Sequence, residues 1–181
     1  MKNRLKEIYV TCLIGLMMIS CQSSQGQDVA QEQRDRLFKA YMEVKKDITD
    51  ENFAGSQEHV VQLEKEIQNF RLKGLQIDDM MRLKKVSQTM KTDAAKLKSA
   101  QDMKSMKVSF SAVSQSLFTI LETMKCVDEA VYLQYCPMEK GYWLSYDKEI
   151  ENPYAASMRN CGQLVKGMAN ADYPEPPASC H

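Results

Sequence analysis

Residues 103–131 read MKSMKVSFSAVSQSLFTILETMKCVDEAV. Within them Met103, Met106, Phe110, Val113, Leu117, Ile120, Met124, Val127 and Val131 recur at alternating steps of three and four. That period puts them on one stripe of a helix, and an unbroken apolar stripe of this length belongs in a seam between helices. Lys104, Gln115 and Glu122 fall off the stripe.

The same period recurs upstream. Leu37, Phe38, Tyr41, Val44 and Ile48 line a helix predicted over 29–49, and Val60, Leu63, Ile67 and Phe70 one over 56–72. Lys73-Gly74 supplies a stop after the second, and Asp78 or Asp79 a cap for a third. Leu83, Val86, Met90, Ala94 and Leu97 form the stripe of that third helix, which ends near Ser99 or Ala100. Gly and Pro are scarce before the final third, while Lys, Glu, Gln, Met and Leu favour helix. Four amphipathic helices with short connections predict an all-α fold, an antiparallel four-helix bundle.

Downstream the composition changes. Pro137, Gly141, Pro153, Gly162 and Gly167 interrupt regular structure. The reading is a loop over 136–146, a turn at Asn152-Pro153, a short helix over 154–160 and a loose tail over 169–181. The stretch before the tail is too short for a core of its own. It is expected to dock on the bundle as a loop-rich C-terminal cap, with Trp143, Tyr142, Tyr146 and Tyr154 as its apolar anchor.

At the other end, Lys2, Arg4 and Lys6 precede a mostly apolar run over 8–19, with Ser20 before Cys21. This pattern predicts a secretory signal over 1–20, too short to span a bilayer as a helix. Met18-Ile19-Ser20-Cys21 resembles a bacterial lipobox, which implies lipidation at Cys21 and a membrane anchor. The polar residues 21–27 read as a tether, and 28–168 as the bundle with its cap. No acidic cluster follows Cys21, so the expected location is the cell envelope, facing the periplasm. The chain carries 24 basic and 24 acidic residues. Losing Lys2, Arg4, Lys6 and Glu7 with the leader leaves a mildly acidic remainder, which argues against nucleic acid as a partner.

The chemistry concentrates in two strings, Cys136-Pro137-Met138 and Met158-Arg159-Asn160-Cys161-Gly162. Thiolate and thioether are soft donors that suit Cu(I) better than zinc, which more usually takes further His or Cys ligands. Cys136, Met138, Met158 and Cys161 are therefore the candidate ligands. A disulfide between Cys136 and Cys161 is the competing reading, because exported proteins keep disulfides. Cys126 reads as a packed thiol, Cys180-His181 as part of the tail, His59 as a solvated helix residue and Met80-Met81 as gap-filling side chains in preference to an accessory thioether patch. No CxxC, HExxH, nucleophile elbow or phosphate loop is present, so no enzyme is expected.

The strings Tyr135-Cys136-Pro137-Met138, Gly141-Tyr142-Trp143-Leu144-Ser145, Ile150-Glu151-Asn152-Pro153-Tyr154 and Met158-Arg159-Asn160-Cys161-Gly162 together resemble an uncharacterised domain family of Bacteroidota. Its members pair CPM, W-L-S, I-x-N-P-Y and M-x-x-C-G motifs. They occur in lipoproteins or fused to periplasmic adaptors of heavy-metal efflux pumps. Phe110, Ser114 and Leu117 are similar to its preceding helix, and the likeness runs over 28–168. Ala155-Ala156 depart from it, standing where the family carries an aromatic residue and a Gly. The resemblance implies a membrane-anchored extracytoplasmic protein that binds copper as Cu(I) or another soft metal, then buffers it or passes it to an efflux adaptor. The alternative is a disulfide-stapled helical lipoprotein acting as a structural or interaction partner in an envelope complex.

Overall fold

The computed structural model describes residues 24–72, 75–124 and 130–168. Over these the chain forms α1 (Ser24–Thr49), α2 (Phe53–Asn69), α3 (Ile77–Lys98) and α4 (Met103–Met124). Then follow β1 (Val131–Cys136), β2 (Gly141–Ser145), a 3-10 turn at Ala156–Met158 and β3 (Gln163–Met168). The leader, Cys21, Lys73-Gly74, Cys126, Val127 and the tail with Cys180-His181 lie outside the described residues.

The apolar stripes pack as their period requires. Leu37, Tyr41, Val44 and Ile48 of α1, Leu63 and Ile67 of α2, Leu83, Met90 and Leu97 of α3, and Met106, Phe110, Leu117 and Ile120 of α4 are fully buried. The helix ends follow local hydrogen bonding. Asn52 caps α2 by accepting the Gly55 N–H at 3.1 Å, which starts that helix earlier than its stripe suggests. Before α4, the Ser105 N–H donates to Asp102 Oδ1 at 2.7 Å and the Asp102 N–H to Ser105 Oγ at 3.3 Å, a reciprocal cap. The bonds from Ser105 hold the Asp102 carboxyl below its usual range. Neither Asp78 nor Asp79 caps α3; both sit in its first turn, where the helix dipole favours negative charge. At the other boundary, α1 already begins at Ser24, inside the stretch expected to be a tether.

The all-α expectation is overturned by a three-stranded antiparallel sheet of order β2-β1-β3. Val131, the last residue of the apolar stripe, is the first residue of β1, and Gly141–Ser145 is a strand where a loop was expected. Val131, Tyr132, Tyr135, Tyr142 and Trp143 are β-branched or aromatic residues that suit a pleated surface. β1 pairs with β2 from Tyr132↔Ser145 to Cys136↔Gly141. It pairs with β3 from Val131↔Met168 to Tyr135↔Gln163, with a register shift between Leu133 and Gln134. The expected short helix over 154–160 shrinks to the 3-10 turn.

Hydroxyl groups join the sheet to the helices. Among the described residues no strand lies beside the outer edge of β2, and its polar backbone would be costly to bury unpaired. Tyr41 of α1 accepts the Leu144 N–H at 2.9 Å, and Ser111 of α4 accepts the Tyr142 N–H at 2.9 Å. The Tyr154 hydroxyl donates to the Tyr142 carbonyl at 2.6 Å. Tyr41 also bonds Ser114 Oγ at 2.7 Å, and the Ser114 hydroxyl donates to the Phe110 carbonyl at 2.8 Å. Burial pushes the Tyr41 phenol well above its ordinary pKa, so it stays a neutral donor and acceptor. Trp143 and Leu144 are fully buried in the same core as the helix stripes. Tyr146 meets Phe38 edge-on at 4.7 Å between ring centres.

Candidate metal centre

The hairpin between β1 and β2 presents the first sulfur string. Cys136 ends β1, and Pro137, Met138, Glu139 and Lys140 make the turn back to Gly141. Lys140 adopts φ 53°, the left-handed conformation needed to close the turn. The Glu139 N–H points at Cys136 Sγ, 3.5 Å away, and so sets the direction of that sulfur. Gly141, directly opposite Cys136, is required as glycine. A Cβ there would lie 2.6 Å from carbons of the Tyr154 ring, which rests on it.

The second string leads into β3. The Met158 N–H donates to the Ala155 carbonyl at 2.9 Å and the Cys161 N–H to the Met158 carbonyl at 3.0 Å, forming a tight turn. Gln163 pairs with Tyr135, so Cys136 and the Cys161-Gly162 step reach the same end of the sheet. A Cβ on Gly162 would lie 2.9 Å from Ile150 Cγ2 and 3.0 Å from the Trp143 ring. Gly162 thereby lets the chain entering β3 lie close against Ile150, Trp143 and the Tyr135 carbonyl. No disulfide joins Cys136 to Cys161.

The four candidate ligands differ in exposure. Cys136 is 1% exposed and Cys161 is half-buried, while Met138 is 63% and Met158 37% exposed. Cys136 and Cys161 stand at the same end of the sheet, and both thioethers stay at the surface. Among the described residues no three His, Cys, Asp or Glu side chains come together to hold an ion. The four candidates are two thiols and two thioethers, a soft donor set that suits Cu(I) better than zinc. Beside the hairpin turn opens a cleft of about 540 Å³, whose walls include Lys104, Lys107, Glu139, Lys140 and Tyr154.

Residues that sequence reasoning passed over hold the turns in place. Asn152 is buried; its backbone N–H donates to the Arg159 carbonyl at 2.6 Å and its side-chain amide to the Cys161 carbonyl at 2.7 Å. Asn152 Oδ1 accepts the Tyr154 N–H at 2.8 Å. Arg159 donates to the Thr49 carbonyl at 2.9 Å, tying the second turn to the C-terminus of α1. The Gln134 amide nitrogen reaches the carbonyls of Asp147, Lys148 and Glu149 at 2.9, 3.3 and 3.1 Å. The one available signal was the Asn-Pro-Tyr string, a turn former beside an aromatic residue.

The remaining candidates fall as follows. Met90, Met106 and Met124 are buried core residues, whereas Met80 and Met81 are exposed at the start of α3. His59 is not merely solvated: its Nδ1 lies 2.6 Å from Asp47 Oδ2.

A family model described as a protein of unknown function, DUF3347, matches residues 37–129, just over half of the chain. The chain belongs to the DUF3347 family. The matched DUF3347 span covers the second half of α1, all of α2 to α4, and stops before β1. Both sulfur strings therefore lie beyond it. No match is found among curated proteins or among solved structures. Among the described residues no helix is long and apolar enough to cross a membrane.

Proposed function

We propose that this protein is a lipid-anchored, extracytoplasmic binder of Cu(I) or a comparably soft ion, which it buffers or passes to an efflux adaptor. Cys136 and Cys161 are the anchoring ligands. Met138 and Met158 close over the ion, using the flexibility of unbranched thioether arms. The observation that supports this reading is that Cys136, at the end of β1, and Cys161, just before β3, stand at the same end of the sheet, with a backbone N–H directed at Cys136 Sγ. Surface thioethers beside a more buried thiol suit exchange, because a partner's sulfur can replace them one at a time. The envelope location and the anchor at Cys21 rest on the leader pattern, and the efflux partner on the resemblance of the four motif strings.

Anaerobic titration of the reduced chain with Cu(I), against a chromophoric chelator, tests the proposal. One tightly held equivalent is expected, lost in both Cys136→Ser and Cys161→Ser. The bound ion should also shield Met138 and Met158 from peroxide, read by mass spectrometry of their peptides. A fully reduced chain that takes up no Cu(I), or uptake indifferent to both serine variants, would remove the proposal.

A further inference from the structure

We infer that the first turns of α3, through Ile77 and Met81, rest on the lipid bilayer that holds the chain at Cys21, so that the bundle stands on that end. The inference rests on the lipid anchor of the proposed function, not on its metal, and adds to it the surface that meets the membrane.

Single exposed apolar side chains are ordinary, but a group of them on one helical turn marks a contact surface. Ile77 is 75% and Met81 67% exposed, one turn apart, with Met80 beside them. At about 100° per residue they share with Lys84 and Lys85 the side of α3 opposite the buried Leu83 and Met90. Hydrogen bonds between the helices set the level of this patch. Gln33 of α1 bonds the Asn69 carbonyl and the Arg71 N–H at the end of α2, and Lys91 of α3 bonds the Gln68 carbonyl. From those bonds α1 and α3 both run on past the end of α2, in the same direction. Ile77 lies fourteen residues before Lys91, about 21 Å along the axis, and Ser24 nine residues before Gln33, about 14 Å. Cys21 is three residues before Ser24, a reach of about 10 Å. An acyl chain on Cys21 therefore enters lipid at about the level of Ile77. Arg82 pairs with Asp79 at 3.2 Å, and Asp78 sits in the same turn, so charge nearly cancels there and apolar contact dominates. The two carboxylates hold that contact at the boundary between headgroups and acyl chains, and Lys84 and Lys85, a turn further from the lipid, extend to the phosphates. Arg159 bonds the Thr49 carbonyl at the other end of α1, which keeps the turn into β3 about 38 Å from Ser24.

Introduced tryptophans read the contact. Ile77→Trp and Met81→Trp lie on the patch, and Val108→Trp marks an equally exposed site of α4, fifteen residues before Thr123. Because Thr123 bonds Arg82, Val108 stands about 22 Å from that end of the bundle. Each full chain is produced in bacteria and reconstituted in vesicles of phosphatidylethanolamine and phosphatidylglycerol whose acyl chains carry bromine close to the headgroup. The buried Trp143 supplies a constant background. The expected result is a loss of emission in brominated vesicles for Ile77→Trp, a smaller loss for Met81→Trp and none for Val108→Trp. Circular dichroism identifies a variant that has lost its fold, and the other patch position then carries the test. A chain that floats with the vesicles yet is quenched equally at the patch and at Val108, or at neither, overturns the bilayer contact and leaves the anchor standing. Shielding of the patch from aqueous iodide without quenching by bromine assigns it to a protein and overturns the bilayer contact as well. A chain that stays in the aqueous phase, with Cys21 carrying no lipid by mass spectrometry, overturns the anchor and the inference with it.

Discussion

At the scale of single residues, the His59–Asp47 pair shows what spacing alone conceals. Asp47 lies twelve positions away, across the corner between α1 and α2, so no helical period links the two. Asp47 also accepts from Asn52 Nδ2 at 3.0 Å, which orients its carboxylate. The hydrogen bond to Asp47 raises the His59 pKa above its ordinary value of 6.5, against a smaller opposing effect of burial. The folded state therefore prefers the protonated ring. Its stabilising contribution is complete below pH 6.5 and is lost as pH rises through the elevated folded value. His59 is nearly half exposed, so salt screens the effect. Urea unfolding at a series of pH values and low ionic strength should show stability declining across that window. His59→Gln should flatten the decline; an unchanged slope would assign it to other groups.

At the scale of elements, the helices were readable and the strands were not, for a physical reason. Each helix buries one face and shows the other to water, so its stripe survives in the sequence. Val131, Tyr132, Leu133, Gln134 and Cys136 of β1 are all buried, and a strand covered on both faces has no alternation to read. Val131 also extended the stripe of α4, which made the helix seem to continue. Gln134 added to the confusion: it is a polar residue in the strand centre, explained only by the three carbonyls it gathers. The serines of α4 carry a comparable hidden logic, since Ser111 and Ser114 are buried where apolar residues would be expected and serve the edge of β2. Tyr41→Phe tests that edge. The ring, stacked 4.8 Å from Phe110, is retained, while the Leu144 N–H loses its acceptor and Ser114 keeps only its bond to the Phe110 carbonyl. Leaving a buried donor unsatisfied costs about 1–3 kcal/mol. The denaturant midpoint should fall by the corresponding amount at unchanged slope. A shift equivalent to less than about 0.5 kcal/mol would mean the edge finds another partner.

At the scale of the whole molecule, the question is whether the four helices stand without the sheet. The family match ends at residue 129, before β1, which invites the view of a self-sufficient bundle carrying a loose cap. The packing argues against it. Trp143 and Leu144 are fully buried in one continuous core with Tyr41, Phe110 and Met106, and α4 packs against β2 as well as α3. Removing the sheet would open that core along α1 and α4 and strand Tyr41, Ser111 and Ser114 beside apolar surface. The sequence allowed the cap to be placed on the bundle, because a turn-rich stretch this short cannot form a core of its own. It did not reveal that the bundle needs the cap in return. A chain ending after residue 130 should accordingly keep most of its helical circular dichroism. It should also bind a hydrophobic dye such as ANS and melt without a cooperative heat-absorption peak, the behaviour of a collapsed state without fixed packing. A sharp calorimetric transition with no dye binding would instead establish the helices as an autonomous unit. In the full chain the shared core makes the sulfur turns part of the global folding transition. If the proposed ion binds there, it should raise the unfolding free energy of all four helices, by about 2.7 kcal/mol at a free concentration of 100 times its Kd, which a metal-dependent shift of the denaturant midpoint would read.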